Sequence, residues 1–190
     1  MAAAAILLAG CVVTSVSPFY TAKDLVFEPA LLGDWIGDTN KAGDEIWKFD
    51  QSGDMAYRFT IIKPDTASVM EARAFRLDGQ LFLDVSSLEQ DYHVIPPHFL
   101  LKVTQTTPAL RMSQLNHDWL KDLVTKKPDA IRHHFVKSGD KSEDDRVVLT
   151  ADTSELQKFI RDNLKTEGAW EEIVLHRQAG AAQPPAAGEK

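Results

Sequence analysis

From Glu45 to Arg177 apolar and polar residues alternate along most of the chain, the period of two that marks strands with one buried face. Trp47 and Phe49 share one face of Glu45 to Asp50, and Gln51-Ser52-Gly53-Asp54 supplies a turn. Met55, Tyr57, Phe59 and Ile61 then alternate with Ala56, Arg58 and Thr60, which completes a hairpin. Lys63-Pro64-Asp65 reverses the chain into Val69 to Leu77, and Asp78-Gly79 offers the two positive-φ positions of a type I′ turn before Leu81, Leu83 and Val85. Further strands are predicted at His98 to Gln105, Ala109 to Leu115, Ile131 to Lys137, Arg146 to Thr150 and Glu171 to Arg177. Two stretches switch to the helical period. Asn116 is placed to cap a helix over 116–127 with Trp119, Leu120, Leu123 and Val124 on one side, ended by Pro128. Asp152 and Glu155 have capping-box spacing ahead of Leu156, Phe159, Ile160 and Leu164, over about 153–165. Both stripes suit docking onto a sheet.

The pattern predicts a mostly β fold with two helices, built as an antiparallel meander. Just before the first hairpin, Leu32-Gly33-Asp34-Trp35 resembles the G-x-W signature of lipocalin-like barrels. In that family the tryptophan plugs the closed end, and an arginine from the end of the last strand lies over its ring; the resemblance assigns these roles to Trp35 and Arg177. A closed barrel also explains the alternation, because each of its strands has an inside and an outside. Two helices depart from the family's usual eight strands followed by one helix. An open antiparallel sheet with helices on one face accommodates them equally well, so both architectures stand as alternatives.

A length of 190 residues and a mass of 21.2 kDa fit one domain. It is expected over 30–178, preceded by an apolar segment at 11–29 that lies against it and followed by a disordered tail at 179–190. The formal net charge of −7, with no concentrated basic face, argues against a nucleic-acid partner. The single cysteine, Cys11, excludes an internal disulfide, and its position is informative. Ala2 to Gly10 is short and apolar, below the roughly 20 residues a spanning helix needs but suited to a signal-peptide core. Leu8-Ala9-Gly10-Cys11 resembles the lipobox of bacterial lipoproteins. That resemblance implies a signal peptide at 1–10, cleavage before Cys11, acylation there with palmitate among the chains, and a membrane as partner. Val12 stands where some bacteria use Asp to signal inner-membrane retention, which favours the outer membrane. A basic stretch before the apolar run, usual in such signals, is replaced here by Ala2 to Ala5. The alternative is a buried cysteine on an apolar N-terminal helix.

Catalytic chemistry finds little support. His133 and His134 are adjacent on a strand and point to opposite faces, so they do not share a metal ion. No metal site and no cofactor are expected. There is no G-x-S-x-G elbow and no phosphate-binding glycine loop. Asp144-Asp145 and Glu171-Glu172 lie in polar stretches that read as solvated surface. The reading therefore leans to a non-enzymatic protein that binds a lipid or other apolar molecule, with Tyr57, Phe59, Ile61, Leu83, Leu101 and Met112 facing the barrel interior. One alternative is an envelope interaction subunit that docks a protein partner through a sheet edge or helix 116–127. Another is a hydrolase or metal site around Tyr92, His93 and His98.

Overall fold

The computed structural model describes residues 12–37, 45–88, 95–137 and 145–178. Eight strands form a closed antiparallel barrel: β2 (Gly33–Gly37), β3 (Ile46–Gln51), β4 (Tyr57–Lys63), β5 (Thr66–Leu77), β6 (Gln80–Ser87), β7 (His98–Gln105), β8 (Ala109–Leu115) and β11 (Trp170–Arg177). Consecutive strands pair as hairpins from β2 to β8, and β11 closes the ring between β8 and β2. The β6–β7 pairing joins what would otherwise be an open edge, which sets the open-sheet alternative aside.

Alternation fixes what faces inward. The Trp35–Trp47, Trp47–Ile61 and Phe49–Phe59 register pairs put these side chains on one face of three strands. At the β5–β6 hairpin Asp78 and Gly79 have φ of +50° and +81°, the conformation expected of Asp-Gly there. The inward faces of all eight strands build one core, from Trp35 and Trp47 to Met112, Ile173 and Leu175.

Both helices belong to a single insertion between β8 and β11. It contains α1 (His117–Lys126), β9 (His133–Val136), β10 (Arg146–Leu149) and α2 (Thr153–Asn163). The Asn116 side chain accepts from the Trp119 amide at 2.9 Å, and the Asp152 side chain accepts from the Glu155 amide at 3.0 Å, so both caps form. The insertion covers the outside of the barrel, where Phe75, Leu77, Phe82 and Leu100 meet Leu120, Val124, Leu156, Phe159 and Ile160 in a second core. That layer is why β6 is buried on both faces, with Leu81 to Val85 all buried.

The apolar N-terminal segment packs on the body. Thr14–Ser15 forms β1, antiparallel to β7 and parallel to β10, and β9 completes a small extension beside the barrel. Val13 and Phe19 are buried in the outer core, and the Val26 amide donates to the Ala74 carbonyl at 2.9 Å. Several boundaries shift from the sequence expectation, most by a residue or two; the two largest shifts are in β5 and β9. β5 starts at Thr66, ahead of Val69, because its polar first turn pairs with β4. β9 is shorter than Ile131 to Lys137, because Ile131 leaves the strand to fill the outer core.

Candidate functional site: the barrel interior

At the end where β2 begins and β11 finishes, the barrel is stoppered. Trp35 is fully buried and donates from Nε1 to the Leu31 carbonyl at 2.8 Å. The Arg177 guanidinium lies 4.2 Å from the Trp35 ring and donates to the carbonyls of Leu32 and Ala30 at 2.9 and 3.0 Å. It thereby ties the last strand to the segment that precedes the first. Burial lowers the Arg177 guanidinium from its ordinary pKa. Phe27 stacks on Tyr57 at 5.0 Å, and the Tyr57 hydroxyl accepts from the Glu28 amide at 2.6 Å and donates to the Glu28 carbonyl at 3.2 Å. Burial pushes the Tyr57 phenol up to about 12.

Tyr57, Phe59, Ile61, Leu83, Leu101 and Met112 all lie in the inner core, each at most 3% exposed. They are divided by size. Tyr57 and Phe59 belong to an aromatic block with Trp47 and Phe49, in which Phe49 and Phe59 stack at 4.5 Å. From β5 onward the inward residues are aliphatic: Ala72, beside Tyr57, then Ala74, Leu83, Val85, Leu101 and Met112, small or flexible side chains.

The opposite end changes character. Gln114 and Glu171 continue the inward rows of Met112 and Ile173 and face one another in the β8–β11 register. Gln114 Nε2 donates to Glu171 Oε2 and Asn116 Nδ2 donates to Glu171 Oε1, both at 3.0 Å. At the same end, before β3, Glu45 accepts from Trp47 Nε1 at 2.7 Å and pairs with Lys63 at 3.3 Å. Leu88 and Ile95, just after β6 and just before β7 at this end, are exposed apolar residues, Ile95 by 70%. The barrel interior is thus apolar along its length, stoppered at one end and polar at the other.

Elsewhere the structure places other chemistry-bearing groups. Cys11, Tyr92 and His93 lie outside the described residues. His98 stands on the barrel's outer face, where its Nδ1 meets Asp84 at 2.7 Å; the carboxylate accepts, which assigns the proton to Nδ1. Asp84 is 2% exposed and also accepts from the Phe19 amide at 2.8 Å, so the pair fastens the N-terminal segment to the barrel. Beside α1 a groove of about 440 Å³ runs between Leu123, Ile131 and Phe159, rimmed by Arg132 and Glu155. Gln114, Glu171 and Asp84 were not singled out as site residues from the sequence. Each stands two residues from a core position of its strand, Met112, Ile173 and Phe82, and alternation alone does not separate it from a solvent-facing polar residue. No protein-family model matches the chain, and no curated protein or solved structure matches it.

Proposed function

We propose that the protein is a non-enzymatic lipoprotein of the cell envelope, anchored through acylated Cys11, whose barrel holds a lipid or other apolar molecule. The observation that carries the reading is the closed barrel itself, with six large apolar side chains converging on an interior stoppered by Trp35 and Arg177. The aliphatic wall of Leu83, Leu101 and Met112 supports it, because flexible side chains adapt to a chain-like guest more readily than the stacked aromatic block does. The lipobox-like Leu8-Ala9-Gly10-Cys11 supports the anchor.

Native mass spectrometry of protein purified from a bacterial envelope, followed by organic extraction, tests the cargo. A defined apolar adduct that is reduced in Leu101→Trp, which fills the interior, is the expected result. A bare mass, unchanged on incubation with lipid extract, overturns the carrier reading. The anchor is tested separately: Cys11→Ser is expected to move the protein from the membrane fraction to the soluble one and to remove the mass of the acyl chains.

A further inference from the structure

We infer that the cargo is an amphiphile whose head group donates hydrogen bonds, a hydroxyl or an ammonium, and that Gln114 and Glu171 seat that head. The inference rests on the carrier reading and narrows it to a ligand class.

Gln114 is 3% exposed, and its Oε1 has no hydrogen-bond partner among the described residues. The orientation of the amide is dictated by its neighbour. Glu171 only accepts, so the amide nitrogen must face it, as it does at 3.0 Å, and the oxygen is left over. Register fixes the side from which a partner comes. Gln114 lies opposite Leu101 across β7 and opposite Glu171 across β11, in the row of Met112 and Leu110, all facing the interior. A buried carbonyl oxygen without a partner is disfavoured, so a donor arriving from the interior gains an interaction that costs no existing one.

The sign of the seat follows from its composition. Asn116 and Gln114 spend amide hydrogens on Glu171, so what the pair turns to a guest is a carbonyl oxygen beside a carboxylate. Two acceptors welcome an alcohol or an amine and repel a free carboxylate, which separates this site from one built for fatty acids. Leu101, Met112 and Ile173 continue below the seat and receive the apolar part.

The test uses the full chain and three ligands of equal length: decanol, decylamine and decanoate. Binding is followed by tryptophan fluorescence and counted by native mass spectrometry. Decanol and decylamine are expected to bind about tenfold or more tightly than decanoate. Gln114→Leu should lose the advantage of decanol, and Glu171→Gln should admit decanoate. Decanoate binding as tightly as decanol, or an order of affinities untouched by both variants, overturns the inference while leaving the carrier reading intact. If none of the three binds, the carrier reading fails and takes the inference with it. Should either variant fail to fold, the ranking on the unmodified chain still decides.

Discussion

Arg177 is held by a ring and two carbonyls at once, and each contact belongs to a different part of the stopper. Arg177→Ala is expected to cost about 2 to 4 kcal/mol in urea unfolding, from the cation–π contact and two charge-assisted hydrogen bonds. Arg177→Lys should recover less than half, because an ammonium does not fork to two carbonyls. Gly33 is coupled to the same group: its φ is +113°, and a Cβ there would stand 2.9 Å from Arg177 Nη1. Gly33→Ala should cost about 1 to 3 kcal/mol. Because the clash is with Arg177, the double substitution should cost less than the sum of the singles. Tyr57 provides a pH signature. Its folded pKa, about 12, lies above the ordinary value of 10.0, so the folded state keeps a proton that the unfolded chain releases. Its contribution is intact below about pH 10 and declines as pH rises toward 12. A urea midpoint that falls over this window in the wild type, and falls less in Tyr57→Phe, is the expected result. Trp35 and Arg177 were legible at this scale because a short motif marks them. Asp84 and Gln114 were not, since one polar residue inside an apolar strand leaves no period to read.

Most of the barrel strands could be read from alternation, because a closed sheet imposes an inside and an outside on every strand. β7 and β8 begin and end where the sequence placed them. β1 could not be read: Thr14–Ser15 has no periodic signal and becomes strand only because the edges of β7 and β10 are there to pair with. Nor could the helices be assigned to the outside of the barrel, since an amphipathic stripe names a buried face without naming what buries it. Two joints between elements can be tested. The Asn116 side chain caps α1 and also donates to Glu171. Asn116→Ala is expected to cost about 1 to 2 kcal/mol. Asn116→Asp, an equally good cap, should not rescue it, because it sets a second carboxylate against Glu171. Asp84 clamps the N-terminal segment through Phe19 and His98. Asp84→Ala leaves both partners unpaired and is expected to cost about 3 to 5 kcal/mol. Its specific readout is faster hydrogen exchange at the Phe19 amide, and slow exchange there in Asp84→Ala would contradict the clamp.

Over the whole molecule, two hydrophobic cores share β5, β6 and β7 as a common wall: Ala74 and Leu83 face one core, Phe75 and Phe82 the other. Neither layer keeps its partner surface covered if the other melts. Unfolding is therefore expected to be a single transition. Trp35 and Trp47 report on the barrel and Trp119 and Trp170 on the outer layer, so curves from variants keeping only one pair should superimpose. Separate transitions would show that the insertion folds on its own.

The short strand β1 sets how the body stands. Thr14 is three residues beyond Cys11, a span of at most about 10 Å, and it pairs with Phe99 near the start of β7. That is the end of the barrel where Gln114 and Glu171 lie and the stopper does not. With Cys11 acylated as proposed, no slack tether lets the protein swing across the envelope. On that proposal the open end would stay moored beside the bilayer, and a guest leaving the barrel would step out next to it, as at a dock and not from a ferry.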